Sequence, residues 1–179
     1  MTACLRLLFL LALVLLTACG TRYRDNTQPI TAQADFDPAR YLGTWYEIAR
    51  YPVAFQRGCT ATTATYGALD ADTISVLNTC RQDSPDGPLR SVKGTADISG
   101  PGQLKVQFAS VPFVRAPYWV LWVDETYDTA VVGVPNGRAG WILARRPRIS
   151  DAKRAEAEAV LRANGYDPAA LLNVQHPAD

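Results

Sequence analysis

Residues 129–146 read TAVVGVPNGRAGWILARR, with apolar and β-branched residues on either side of Asn136-Gly137. Asn and Gly tolerate the positive φ angles of a tight hairpin turn, which makes this pair the clearest β-hairpin signal in the chain. The stretch therefore predicts two antiparallel strands, at 129–135 and 140–146, joined by a short turn.

The same pattern of short apolar runs and turn residues continues toward the N-terminus. It predicts six further strands, at 43–51, 60–68, 73–80, 90–98, 103–110 and 117–124. After the last strand, Ser150-Asp151 can cap a helix that Gly165 ends. Eight consecutive strands with short connections favour an all-β, up-and-down antiparallel barrel with one C-terminal α-helix packed outside, and such a barrel can hold one small ligand. A two-sheet sandwich is the alternative.

Composition limits the classes of function. The 179 residues include 18 basic and 17 acidic side chains, and 48% of the chain is hydrophobic. The length fits one domain, and the balance of charge excludes a nucleic-acid binder that works through general basicity. The apolar content excludes a disordered chain. The four Cys residues show no Cys-x-x-Cys spacing, so no structural zinc site is expected.

The N-terminal segment has the form of a signal peptide, predicted to span residues 1–18. Its apolar run, Leu7 to Leu16, is too short to cross a bilayer as a helix. It ends in Leu-Thr-Ala-Cys-Gly, which resembles a bacterial lipobox and implies cleavage before Cys19 and acylation of that residue. Gly20, where a sorting Asp would stand, indicates the outer membrane, with the protein facing the periplasm. An ordinary secretory signal with a coincidental Cys is the alternative.

Residues 19–34 are polar and lack periodicity, so they are expected to form a lipidated, flexible tether ahead of a domain at 35–179. In the oxidising periplasm, Cys59 and Cys80 would remain to form one disulfide. A hairpin centred near residues 69–70 would place the two directly opposite each other. Two unpaired thiols are the alternative.

Three segments together resemble the motifs of the lipocalin family. They are YLGTWYEIAR at 41–50, with its Gly-x-Trp; APYWVLWVDETY at 116–127, with its Asp-x-x-Tyr; and WILAR at 141–145, ending in Arg. Their order and spacing match the family pattern, and the similarity runs from Asp35 to Gln175. The resemblance is to bacterial lipocalins of the outer-membrane lipoprotein type and to apolipoprotein D-like members.

The resemblance assigns structural roles to five motif residues, namely Gly43, Trp45, Asp124, Tyr127 and Arg145. In lipocalins the first-motif Trp plugs the closed end of the barrel and the third-motif Arg stacks on it. Carried over, Trp45 and Arg145 form a cation–π pair that seals the base.

The resemblance also implies a ligand site lined by Tyr66, Asn78, Phe108 and Trp141. Alternation along the strands would place residues two positions away on the same inner face, giving an apolar, aromatic cavity with one amide. Two alternatives stay open: a solid barrel core filled by the aromatic residues, and a solvated position for Asn78 at the rim. With Tyr66 and Asn78 inward, Cys59 points outward and Cys80 inward, so their bridge would need a bulge.

A loop at 110–117, between the fifth and sixth strands, is expected at the open end of the barrel. Its apolar side chains could touch a bilayer, close over a ligand or fold back on the barrel. An anionic ligand head would be left near the mouth, by Arg81 or Arg115.

No catalytic motif emerges. His176 is the only His, and no Gly-x-Ser-x-Gly, His-Glu-x-x-His or phosphate loop occurs, so the chain is expected not to be an enzyme and to use no metal or cofactor. The resemblance implies a lipocalin held on the membrane through Cys19, storing or transporting a fatty acid or lysophospholipid. A tetrapyrrole or sterol-like ligand, or a structural envelope lipoprotein with a filled barrel, are the alternatives. Monomer and homodimer both stay open.

Overall fold

The structure, a computed structural model, describes residues 21–177. It contains two α-helices, two short 3-10 helices and nine strands. The helices are α1 (Pro38–Tyr41) and α2 (Asp151–Ala163), and the 3-10 helices are Ala54–Gln56 and Pro168–Ala170. The strands are β1 (Gly43–Arg50), β2 (Cys59–Ala68), β3 (Thr73–Gln82), β4 (Leu89–Gly100), β5 (Gln103–Phe108), β6 (Ala116–Val123), β7 (Thr129–Gly133), β8 (Gly140–Ala144) and β9 (Leu172–Asn173).

The first eight strands close into an antiparallel barrel. Each pairs with the next along the chain, and β1 pairs with both β8 and β2, which closes the ring. The predicted barrel is confirmed, and the sandwich alternative is excluded. The two-residue β9, which pairs with Ala49 and Arg50 at the edge of β1, was not predicted because two residues carry no periodic signal.

The strand directions give the barrel two distinct ends. The closed end is the one where α1 and the connections 69–72, 101–102 and 124–128 lie. The open end carries the connections 51–58, 83–88, 109–115 and 134–139. Loop 109–115 therefore lies at the open end, as predicted.

Helix α2 packs on the outside of the barrel, as predicted. The Ser150 hydroxyl accepts a hydrogen bond from the Lys153 amide and caps the first turn. Ala157 and Leu161 are fully buried in a cluster that contains Ile142 from the outer face of β8. Within residues 21–177, neither α-helix has the length and hydropathy needed to cross a membrane.

Residues 23–33 lie along the barrel wall, in contrast to the flexible tether expected from their composition. The Tyr23 amide donates to the Gly137 carbonyl at 2.7 Å, Arg24 forms an antiparallel bridge with Tyr166, and the Gln33 amide donates to the Val120 carbonyl. These backbone bonds require no apolar periodicity, so the sequence pattern could not reveal them. The predicted signal peptide and Cys19 lie outside the described residues.

Candidate functional site

A tryptophan and an arginine seal the closed end of the barrel. Trp45 is 0% exposed, and its indole N–H donates to the Tyr41 carbonyl at 2.8 Å. The Arg145 guanidinium lies 3.9 Å from the centre of the Trp45 ring and donates to three carbonyls within residues 40–44. Gly43 has a φ of 93°, and a side chain there would approach Arg145 closely. This arrangement leaves the base of the barrel without access to solvent.

Asp124 organises the turn that covers the same end. Its burial would raise the pKa, but hydrogen bonds from the Asp128 and Thr129 amides, together with Lys153, outweigh it and lower the pKa of the carboxyl. Tyr127, at a φ of 59°, completes this turn. Both motif residues therefore hold the base in place, and Tyr127 belongs to the buried inner core.

The four residues expected to line the ligand site lie on the inner faces of four strands. Tyr66 is buried in the inner core, and Phe108 and Trp141 pack against the same core while remaining partly exposed. Asn78 is partly exposed and two residues from Val76, which belongs to that core. Further inner-core residues on these strands are Ile74, Leu104, Val106 and Leu143.

The aromatic residues near the open end are less enclosed than those at the base. Phe108, Tyr118 and Trp141 lie within three residues of the open ends of their strands, and all three are partly exposed. Tyr41 and Trp45 at the base are at most 1% exposed. Because these open-end side chains face inward, solvent reaches them through the mouth of the barrel.

Tyr118 links the base to the open half and was not among the predicted ligand residues. Its hydroxyl lies 2.9 Å from both the Tyr41 and the Tyr66 hydroxyls, and its ring stacks against Trp141 with centroids 6.2 Å apart. Burial raises the pKa of Tyr66 to about 12 and that of Tyr118 well above its ordinary value, so the hydroxyls are neutral. Three hydroxyl protons serve two contacts, which leaves one proton for a further acceptor. The inward position of Tyr118 could have been inferred from its spacing of two residues from Val120 on the same strand.

A buried ion pair near the mouth corrects the prediction that the interior holds one amide as its polar group. Glu47 accepts hydrogen bonds of 2.7 Å from Arg50 and from the Gln56 side chain. The Gln56 side-chain oxygen in turn accepts from the Trp141 indole N–H at 3.0 Å. Burial raises the pKa of Glu47, although Arg50 and Gln56 oppose the change. The strand register shifts between Glu47 and Ala49, so Arg50 reaches Glu47 where strict alternation would turn it outward.

Asn78 is partly exposed as a residue, but its side-chain oxygen is enclosed. It lies opposite Ala64 on β2 and Val92 on β4. Its side-chain oxygen is buried and has no hydrogen-bond partner among residues 21–177. A buried acceptor without a donor is costly, so this oxygen is the interior atom most suited to accept a bond from a ligand.

The Cys59–Cys80 disulfide is present, with Cα atoms 5.4 Å apart. The expected bulge is also found, since the register shifts between Thr60 and Thr63. The expected direct opposition is wrong: Cys59 lies opposite Gln82, so the bridge runs diagonally across the hairpin. The Cys59 carbonyl accepts a hydrogen bond from Arg50, which ties the bridge to the ion pair.

Loop 109–115 projects from the mouth and does not fold back on the barrel. Phe113 is 97% exposed, and Val111 and Val114 are exposed as well. Arg115 forms a 2.6 Å salt bridge with Asp97, and Arg81 donates to a backbone carbonyl nearby. Both predicted head-group cations thus lie outside the barrel, and the Arg115 charge is already compensated.

A barrel sealed at one end, with a partly exposed aromatic interior at the other, is the architecture of a small-ligand carrier. A family model described as a lipocalin-like domain matches residues 36–176. The chain belongs to the lipocalin family.

Relatives from distant sources share most of the chain. The outer membrane lipoprotein Blc of Escherichia coli is 38% identical over 172 residues, which cover 93% of both chains. Mouse apolipoprotein D is 34% identical, covering 93% of this chain and 92% of its own. Among solved structures, lobster apocrustacyanin A1 superimposes with a TM-score of 0.66 over 84% of this chain and 91% of its own, at 16% identity. The last similarity shows the fold alone.

Proposed function

We propose that this protein is an envelope lipoprotein whose barrel stores or transports a fatty acid or a lysophospholipid, with one acyl chain inside. The observation that carries the proposal is the difference in exposure between the base and the mouth. Trp45 is fully buried at the base, whereas Phe108 and Trp141, which pack against the inner core beside the space at the mouth, are partly exposed. An acyl chain in that space would cover apolar surface that the protein leaves open.

The polar groups of the interior suit an uncharged or weakly held ligand head. Asn78 offers an unpaired oxygen, which a glycerol hydroxyl or a protonated acid could satisfy. The Arg50 guanidinium is already bonded to Glu47 and to the Cys59 carbonyl. A fully anionic head therefore finds no unpaired cation inside among the described residues and would remain near the mouth.

The apolar area that one acyl chain can bury limits its affinity. Burying about 200–300 Å² of acyl chain at about 25 cal/mol/Å² contributes roughly 5–8 kcal/mol before ordering costs. We therefore expect micromolar dissociation constants.

The location rests on the lipobox and on the relatives. Cys19 has the sequence context of an acylated residue, and the E. coli relative is an outer membrane lipoprotein. We place this protein at the outer membrane, on the periplasmic side, held by a lipid on Cys19.

Carriage rather than catalysis is the role that the interior chemistry supports. The ionisable pair Glu47–Arg50 is internally neutralised, and the tyrosine hydroxyls are held neutral by burial. His176 bonds to the Glu47 carbonyl, beside Tyr46. None of these groups is arranged as a nucleophile with an adjacent base.

Tryptophan fluorescence tests the site directly. Titrating a lysophospholipid into delipidated protein should shift the emission spectrum, and Trp141→Phe should remove most of that shift. Trp119→Phe is the matched control, because Trp119 packs against the outer cluster and should leave the shift intact. An unchanged spectrum with no calorimetric heat at several temperatures would instead support a filled barrel.

A further inference from the structure

Exposed apolar side chains gather at the open end of the barrel. Three of the four connections at the open end carry such side chains, either within the connection or on the first residue of the strand that follows it. They are Phe55 (62% exposed), Leu89 (59%), Val111 (47%), Phe113 (97%) and Val114 (56%). Because the β1–β2 and β5–β6 connections stand on opposite sides of an eight-stranded ring, Phe55 and Phe113 flank the mouth from both sides. We call these five residues the apolar rim.

The fourth connection at the open end holds the beginning of the described chain. The Tyr23 amide bonds to Gly137 in connection 134–139, and the Tyr23 hydroxyl donates to the Pro52 carbonyl. The Tyr23 ring also stacks on Tyr51, with centroids 4.9 Å apart. The N-terminal segment is thus fixed to the barrel at the mouth, from which it runs toward the base.

The fixed position of Tyr23 limits the distance between a lipid anchor and the mouth. Cys19 precedes Tyr23 by four residues, which span at most about 14 Å when fully extended. A tether that stayed free up to residue 34 would allow any orientation of the barrel. The attachment at Tyr23 keeps an anchor on Cys19 within that short distance of Tyr23, at the same end of the barrel as the apolar rim.

The charges around the mouth are compatible with a phospholipid surface. The open-end connections carry three arginines (Arg57, Arg115 and Arg138), of which Arg115 is already paired with Asp97, and two aspartates (Asp83 and Asp86). Arg81 and Arg90 add positive charge at the adjoining strand ends. Such a surface combines apolar side chains that can enter the headgroup region with cations that face lipid phosphates.

We propose that the apolar rim docks on the phospholipid bilayer, so that the mouth of the barrel faces the membrane. This inference rests on the proposed lipid anchor at Cys19. Acyl chains would then pass between the bilayer and the interior beside Phe108 and Trp141 without crossing water. The closed end offers a natural contrast, because its exposed Leu69 is followed by Asp70 and Asp72.

Spin labels at the two ends test the orientation. The full acylated protein is reconstituted in vesicles of phosphatidylethanolamine and phosphatidylglycerol, with a nitroxide on either Phe113→Cys or Leu69→Cys. Cys59 and Cys80 are bridged, so they do not compete for the label. We expect the label at 113 to be several-fold more accessible to dissolved oxygen, and several-fold less to a water-soluble relaxing agent, than the label at 69. If both labels show the same accessibilities, with values typical of labels in water, the docking is wrong.

Two checks on the same samples separate this inference from the proposed function. The mass of the N-terminal peptide reports the lipid on Cys19, and titration with lysophospholipid reports binding. Anchored, binding-competent protein with an aqueous label at 113 would contradict only the docking. A label at 113 inside the bilayer without ligand binding would support the docking and contradict the proposed function.

The transfer rate provides a second readout. The double variant Val111→Asp, Phe113→Asp should take up a fluorescent acyl ligand from vesicles at least tenfold more slowly, while its affinity for the same ligand in solution stays unchanged. Leu69→Asp is the matched control and should alter neither quantity. Equal uptake rates for the double variant and the unmodified protein would refute the docking.

Discussion

Trp45 and Trp141 stand at opposite ends of the same barrel, and they differ in both exposure and partner. Trp45 is fully buried, and its indole N–H bonds to a backbone carbonyl, while Arg145 covers its outer face. Trp141 is partly exposed, and its N–H bonds to Gln56, a side chain from a connection at the mouth. The backbone carbonyl that bonds to Trp45 is held in place by the main chain, whereas the Gln56 side chain that bonds to Trp141 can change its rotamer when a ligand enters. The comparison separates a part of the molecule built for stability from a part built for binding.

The base should show the largest loss of stability on mutation. Trp45→Ala removes a fully buried indole and its hydrogen bond, so the free energy of unfolding should fall by about 3–4 kcal/mol in urea titrations. The fraction that folds should still bind lysophospholipid. Trp141→Ala is the counterpart at the mouth and should cost less stability but more affinity. A large affinity loss in Trp45→Ala at unchanged stability would erase the distinction between the two ends.

The disulfide should stabilise the mouth without forming part of the binding surface. Cys59→Ala, Cys80→Ala opens a loop with a sequence separation of 21 residues, so unfolding should become easier by about 3 kcal/mol. The affinity for acyl ligand in the folded protein should stay within a few-fold. If the affinity falls in proportion to the stability, the bridge positions the site through Arg50.

The tyrosine cluster joins the two regions, and its central hydroxyl should contribute to both. Tyr118→Phe leaves the Tyr41 and Tyr66 hydroxyls without their shared partner, at a cost of about 1–2 kcal/mol. It should also weaken ligand binding by a few-fold in calorimetry. Tyr46→Phe, on a ring that packs against His176, is the control and should change neither value. If Tyr118→Phe lowers the stability but leaves the affinity unchanged, Tyr118 is a structural residue like those of the base and not part of the ligand site.

The charge of Asp124 at the base should make the smallest contribution, about 1 kcal/mol of unfolding free energy, and a pH titration should reveal it. The pKa of Asp124 is lower in the folded than in the unfolded protein, so its contribution is present at neutral pH and is lost as the pH falls through the folded-state pKa. The stability difference between the unmodified protein and Asp124→Asn should therefore shrink in acid. The exposed Glu125→Gln serves as the control. A difference that is independent of pH would show that the charge of Asp124 does not stabilise the turn.

The fold was predictable because strand alternation, turn residues and the three motifs agree. The strand order, the outer helix, the open-end position of loop 109–115 and the need for a bulge between Cys59 and Tyr66 all followed from these patterns. The inward side of Phe108 and Trp141 came from the family resemblance, with which the alternation along their strands agrees.

The features that escaped prediction are ones that regular strand alternation does not encode. The register shift after Glu47 brings Arg50 to the ion pair, and a strict period of two assigns that residue to the wrong face. The packing of residues 23–33 relies on backbone hydrogen bonds and on single side chains such as Tyr23 and Arg24, none of which gives a periodic signal. The unpaired oxygen of Asn78 depends on distances between strands that are far apart in sequence.

Native mass spectrometry of the protein purified from its own membrane tests most directly whether the open half of the barrel is a ligand site. The account predicts a fraction of the protein carrying one additional mass, that of a fatty acid or a lysophospholipid, beyond the lipid on Cys19. Trp141→Ala should lower that fraction, while Trp119→Ala should leave it unchanged. Protein with no bound molecule in any preparation, or with a tetrapyrrole in place of an acyl lipid, would contradict the account.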